Sequence, residues 1–210
     1  DPNAGQLKMN NQVDAHLIGT KLKSQALFSG SFLHAFLDTV ALPDGTQATR
    51  EYVVHPGAVM IVPLLELPGQ PLQLVMERQF RYPVQQVMLE FPAGKLDAGE
   101  LPLHCARREL REETGYSATH WAHAGVMHPV ISYSTEFIDI WFARGLIPGP
   151  RKLDVGEHLD ILSMGVAEFF TACQQGLITD AKTLTGALWL QNHLSGQWPL
   201  AWQAAQTDGR

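Results

Sequence analysis

The sequence predicts an α/β fold, helices packed on a mixed sheet, with a small β-rich extension in front of it. Three observations carry that reading. Residues 58–65 form an uninterrupted apolar run, as in a strand buried on both faces. Residues 137–144 alternate, with Phe137, Asp139 and Trp141 on one side and Ile138, Ile140 and Phe142 on the other, which is the period of a strand. Residues 103–114 repeat at helical spacing, and the Gly115 after them suits the left-handed backbone at a helix end.

Residues 28–42, rich in Phe, Leu, Thr and Val, read as a strand that ends in the turn Pro43-Asp44-Gly45, and residues 46–54 return beside it. His55-Pro56-Gly57 interrupts, the proline holding the residue before it extended, and a boundary is placed there. The chain thus divides into a frayed end or linker (1–24), a β extension (25–56) and a principal domain (57–210). In that domain residues 58–65, 72–80 and 87–91 read as strands, with a proline- and glycine-bearing turn at 67–71. After the helix at 103–114 come strands at 121–132 and 137–144, a loop at 154–162 running into a strand, and helices at 166–174 and 180–194. The last helix carries Leu184, Ala187, Leu188 and Leu194 on one stripe.

Composition narrows the class. Two hundred and ten residues, 45% hydrophobic and 17% charged, suit one globular domain with a short appendage. The longest apolar run, residues 58–65, is too short to cross a bilayer, and no signal-type leader opens the chain, so a cytoplasmic protein is expected. Fifteen Lys and Arg against 21 Asp and Glu give a net charge of -6, without the basic cluster that nucleic-acid binding requires. An anionic substrate therefore depends on local arginines or bound cations. Cys105 and Cys173 form no CxxC pair, which fits a reduced compartment.

The chemistry concentrates between Gly94 and Tyr116. On a helical wheel Leu103, Ala106, Leu110 and Thr114 share the arc facing the sheet, Glu109, Glu112 and Glu113 lie beside it at the edge of the buried surface, and Arg107 and Arg111 point to solvent. Like charges at i, i+4, such as Glu109 and Glu113, cost a helix roughly 0.2–0.5 kcal/mol in water, and more where the dielectric falls. A divalent cation reverses that sign, and Mg²⁺ favours such hard oxygen ligands together with substrate phosphates. The bland alternative is a solvated acidic face balanced by neighbouring arginines.

The spacing decides between them. Gly94, five residues, Glu100, seven residues, then Arg108-Glu109-Leu110-Arg111-Glu112-Glu113-Thr114-Gly115 resembles the Nudix hydrolase signature at every defined position but the last, where Tyr116 stands in place of an aliphatic residue. Residues 50–59, Glu77-Arg78-Gln79-Phe80-Arg81 and Leu89-Glu90-Phe91-Pro92-Ala93-Gly94 are similar to the ADP-ribose pyrophosphatase branch, so the likeness covers about residues 25–195.

The resemblance implies a Nudix α/β/α sandwich with an N-terminal antiparallel sheet, working as a homodimer that exchanges the extension. It implies Mg²⁺, with Mn²⁺ able to substitute, and hydrolysis of ADP-ribose to AMP and ribose 5-phosphate. By the same resemblance Glu109 and Glu113 are the principal metal ligands, Glu112 serves a second or third metal, the Ala93 carbonyl completes the shell and Glu100 joins through water. Arg108 holds the glutamates. Arg81 and Arg50 grip the phosphates and distal ribose, with Glu51 and Phe32 near the adenine. The general base maps to Glu157, in Gly156-Glu157-His158, with Glu136 as rival or substrate contact.

Pro129 lies thirteen residues after Tyr116, where ADP-ribose enzymes commonly carry a proline about fifteen beyond the signature; the shift leaves another nucleoside diphosphate sugar as the alternative substrate. A non-catalytic ADP-ribose sensor is disfavoured, because all four box glutamates are present and no helix-turn-helix is left over. The scattered histidines, His55, His123 and His128 among them, read as strand or loop residues, and Trp189, Trp198 and Trp202 as packing for the last helix and tail.

Overall fold

The computed structural model describes residues 14–205. The described residues form two compact units, one of residues 14–55 together with Val130–Thr135, the other of Pro56–Pro129 and residues 136–205.

The first unit is a three-stranded antiparallel sheet of β1 (Thr20–Ser29), β2 (His34–Ala41) and β3 (Gln47–Val54), in that order. The expected single strand at 28–42 is two strands. Gly30 donates its N–H to the Leu33 carbonyl at 2.8 Å and turns the chain, while Phe32 and Leu33 carry strand-type side chains through the turn and disguise it. Strand β1 also starts at Thr20, inside the stretch expected to be frayed, and Ala15–Leu17 ahead of it form a single 3-10 turn; residues 1–13 of that stretch lie outside the described residues. The Pro43-Asp44-Gly45 turn forms as expected, Asp44 accepting from the Thr46 N–H at 2.9 Å and its hydroxyl at 2.6 Å. Between the strands Phe36 stacks on Tyr52, whose hydroxyl donates to buried Asp38 at 3.0 Å. The strand expected to run to Ser132 stops at Met127, and residues 130–135 form a loop that docks on β3: Val53 N donates to Tyr133 O at 2.8 Å, and Thr135 N donates to Val53 O at 3.0 Å.

The second unit is built on β4 (Ala58–Leu65), whose eight residues are all buried, as the apolar run requires. Its alternate residues serve two cores. Val59 and Ile61 pack with Cys105, Ala106, Leu110, Trp121 and Trp141 on one face, and Met60, Val62 and Leu64 pack with Phe91, Phe142, Phe169 and Leu190 on the other. The sheet around it runs β10-β5-β4-β9-β8-β11, with β5 at Gln73–Arg81, β8 at Tyr116–Met127, β9 at Ile138–Pro148, β10 at Leu159–Gly165 and β11 at Gln203–Ala204. It is mixed: β4 and β9 are parallel from Ala58 to Pro63, and the other pairs are antiparallel. Helix α1 (Pro102–Glu109) covers the first face; α2 (Val166–Gln174) and α3 (Ala181–Leu194) cover the second, giving an α/β/α sandwich.

Strands β4 and β5 pair only at Leu64 and Leu65 and then part. The chain between them fills the gap, β6 (Gln86–Glu90) running along β5 and β7 (Ala93–Lys95) along β4. Phe91 at this crossing is fully buried and rests on Phe169, and its N–H donates to Thr183 Oγ1 at 3.1 Å.

That contact corrects the expected face of α3. Its buried residues are Thr183, Gly186, Ala187 and Leu190, while Leu184, Leu188 and Leu194 are exposed. Gly186 has no room for a Cβ, which would lie 2.8 Å from Met60 and 3.0 Å from Phe91, so backbone proximity and not side-chain size sets the orientation. Asp180 caps the helix, accepting from Thr183 N at 3.1 Å and Thr183 Oγ1 at 2.6 Å. Trp189 packs edge-on against Trp198, and Arg144 lies over Trp202. No helix among the described residues is long and apolar enough to cross a membrane.

Phe91→Ala removes the side chain that joins the crossing to α2 and α3. Truncating a buried phenylalanine costs about 3–5 kcal/mol, and we expect that loss in urea unfolding of the intact chain; a change below about 1 kcal/mol would show that the crossing holds without its anchor.

Candidate active site

The site grows from the parting of β4 and β5. There the backbone from Phe91 to Lys95 passes in front of α1, and Gly94 leaves the space that a carboxylate occupies: a Cβ on Gly94 would lie 1.9 Å from Glu109 Cδ. The helix differs from the wheel. It is α-helical only to Glu109 and continues as a π-helical turn, Leu110–Thr114, before Gly115 closes it at φ +78°. The wider turn admits one more residue per hydrogen-bonded loop and changes the angular position of the residues after it. Glu113 thereby leaves the edge where the wheel puts it and becomes buried, 2% exposed, its Oε2 accepting from Ala93 N at 3.2 Å. Arg111 faces solvent as expected, whereas Arg107 is half-buried.

One guanidinium organises three of the carboxylates. Arg108 Nε and Nη2 donate to the two oxygens of Glu100, both at 2.9 Å, and Nη1 donates to Glu109 at 2.7 Å and Glu112 at 3.2 Å. A bidentate pair of this kind is geometrically selective and strong. Arg108 beside it holds the Glu100 carboxyl down at about 2. Glu109 is shifted the other way: burial above all, and then the like charges of Glu112 and Glu157, raise it against the pull of Arg108. Glu113 is also raised, by burial and by the charges of Glu77, Glu109 and Glu157.

Sequence reasoning passed over a second buried cluster behind the first. Glu77 on β5 and Glu90 on β6 stand opposite one another in register, and both are buried. Arg81 Nε and Nη2 donate to the two oxygens of Glu90 at 2.7 and 2.8 Å; Lys182 Nζ donates to Glu90 at 2.5 Å and to Asp180 at 3.0 Å. Burial, and then the like charge of Glu90, pushes Glu77 up. The signal in the sequence is a glutamate directly after the buried run Leu74-Val75-Met76 in a strand. Lys182, ninety-two positions from Glu90, gives none.

Glu157 sits in the loop before β10. The loop is tied to the end of the acidic helix by the Lys152 N–H, which donates to the Glu112 carbonyl at 3.0 Å, and Glu157 accepts from Asp154 N at 3.3 Å. Its charge acts on both Glu109 and Glu113. Glu136 is half-buried just ahead of β9. Arg50, Glu51 and Phe32 belong to the first unit: Arg50 donates to the Thr49 carbonyl at 2.9 Å, Glu51 is exposed and Phe32 meets His55 edge-on. His123 lies in β8, its Nε2 2.9 Å from Asp139. Cys105 is buried, its thiol donating to Lys95 O, and burial pushes it well above the usual thiol range.

The donor set is entirely hard oxygen: Glu109, Glu112, Glu113 and the Ala93 carbonyl. Its two most buried members carry like charges that Arg108 only partly answers, and the missing Cβ of Gly94 makes room for the Glu109 carboxylate. These residues suit a hard divalent cation that retains waters and shares its shell with phosphate oxygens. Among the described residues no three acidic, His or Cys side chains are already drawn into one closed cage.

The Glu100–Arg108 pair is testable by pH. Because the folded-state value of Glu100, about 2, is below its ordinary 4.5, its stabilisation is complete above 4.5 and fades as pH falls through about 2. Glu100→Gln should therefore melt lower than the unmodified chain at pH 7, with the gap closing on acidification; a gap that persists at the lowest pH would assign it to packing.

The chain is similar to known proteins in sequence and in fold. The NUDIX domain model matches residues 54–180. An ADP-ribose pyrophosphatase of Bacillus subtilis (strain 168) is 30% identical over 172 residues, covering 81% of this chain and 91% of the relative. A methanol dehydrogenase activator of Bacillus methanolicus is 33% identical over 174 residues, 81% of this chain and 91% of the relative. A solved ADP compounds hydrolase superposes with a TM-score of 0.76 at 23% identity, over 86% of this chain and 97% of that one, which concerns the fold alone. The match across the crossing, the acidic helix and the Glu157 loop places the chain in the NUDIX family.

Proposed function

We propose that this chain is a Mg²⁺-dependent hydrolase of the diphosphate bond of ADP-ribose, releasing AMP and ribose 5-phosphate. The observation that carries the reading is buried Glu113 beside half-buried Glu109, whose carboxylate fills the space a Cβ on Gly94 would take, with less positive charge around them than they need. The name of the Bacillus subtilis relative supports the substrate.

In this reading Glu109, Glu113 and the Ala93 carbonyl bind the cation, Glu112 serves a second, and Glu100 joins through water. The bound cation supplies charge neutralisation on the diphosphate and a water of lowered pKa. Arg108 keeps the carboxylates apart and aimed. Arg81, steadied by Glu90, meets the phosphate charge, and Glu157 orients the attacking water and takes its proton, with Glu136 contacting substrate. Arg50, Glu51 and Phe32 are assigned to the distal ribose and adenine. A homodimer in the cytoplasm completes the proposal, the β1–β3 sheet being the exchanged part.

The test is product analysis with Mg²⁺ across ADP-ribose, ADP-glucose and GDP-mannose. AMP and ribose 5-phosphate should come fastest from ADP-ribose and cease with EDTA. Faster turnover of another sugar nucleotide would make that the substrate, and tight ADP-ribose binding without AMP release would make the chain a sensor. Glu157→Gln should lower kcat by about 10²–10⁴-fold with KM little changed; a drop of less than about threefold would remove Glu157 as the base.

A further inference from the structure

Glu77 and Glu90 face each other across β5 and β6, a like-charge pair directly opposite in register, which destabilises a sheet unless answered. Glu90 is answered twice, by the fork of Arg81 and by Lys182. Glu77 is not. It is fully buried, neither Oε1 nor Oε2 meets a donor among the described residues, and the group within hydrogen-bonding reach is another carboxylate, Glu113. Arg81 and Lys182 lie near enough to act on Glu77, but their donors are bound to Glu90. An ionised carboxylate out of water with no donor of its own is a costly arrangement, which a further cation or a proton would relieve. The cation already argued for this place is the one on Glu113.

We infer that Glu77 is a further carboxylate of that cation site, binding the ion directly or through one water alongside Glu113. The inference rests on the proposed reading of the acidic helix as a cation site. Two carboxylates and a backbone carbonyl, with water and phosphate filling the remainder, suit an octahedral hard cation. Glu77 also links the ion to the cluster of Glu90 on β6, Arg81 on β5 and Lys182 on α3, so the acidic helix and β5 share one charge.

Mn²⁺ binding without substrate tests this, read from the paramagnetic signal of free Mn²⁺ and from the Mn²⁺-induced rise in Tm of the full chain. Glu77→Gln should weaken Mn²⁺ at least about tenfold, a loss of the size seen when a metal's supporting ligands are removed. It should also shrink the Mn²⁺-induced rise while raising the metal-free Tm, since one buried charge is gone. A residue that merely packs would lower the metal-free Tm and leave the Mn²⁺ response intact. Unchanged Mn²⁺ affinity in Glu77→Gln, with affinity lost in Glu113→Gln, would overturn the role of Glu77 and leave the acidic helix as the site. Absence of Mn²⁺ binding by the unmodified chain would overturn both. If Glu77→Gln does not fold, Glu77→Asp keeps the charge and shortens the arm, and unchanged affinity there would equally count against the inference.

Discussion

Charge balance around one short stretch of backbone governs this molecule. Glu100, Glu109 and Glu112 divide a single guanidinium, Arg108, and behind them Glu77 meets no hydrogen-bond donor among the described residues while Glu113 accepts from the Ala93 N–H. Desolvation turns such a deficit into a large energy unless something positive arrives. An isolated acidic helix would relieve it by turning outward into water. Here the π turn holds Glu113 against the sheet, and Leu110 in the same turn is fully buried in the core beneath α1, so packing keeps the carboxylates where electrostatics alone would not.

The sheet provides the place. Strands β4 and β5 could have paired along their whole length; instead they touch at Leu64 and Leu65 and open, and the strand crossing from β6 to β7 carries Glu90, Ala93 and Gly94 through the opening. Phe91 pins that crossing from the far side, so the core beneath α2 and α3 fixes the backbone that faces α1. Structure on one face of the sheet thereby sets the chemistry on the other.

The order of strands and helices is legible because each depends on local pattern: the unbroken apolar run of β4, the alternation of β9, the glycine that ends the acidic helix. The signature carboxylates and Arg108 are equally legible from spacing. The features that escape depend on atoms far apart in the chain. The turn at residues 30–33 hides behind Phe32 and Leu33. The buried face of α3 comes from Gly186 lying against Met60 and Phe91, which no periodicity of leucines reports. The burial of Glu113 comes from a π turn, and the pairing of Lys182 with Glu90 from tertiary folding across ninety-two positions.

The docking of residues 130–135 on β3 has a consequence for how the chain can be cut. The Tyr133 carbonyl takes the Val53 amide, and the Thr135 amide takes the Val53 carbonyl, so a piece of the connection between β8 and β9 completes the hydrogen bonding of the N-terminal strands. Trimming the chain at His55 would strand that connection with unpaired peptide groups, and grafting the three strands elsewhere would leave their last edge bare. The apparent appendage is a module with two roots in the chain, and recombination that respects only one of them breaks it.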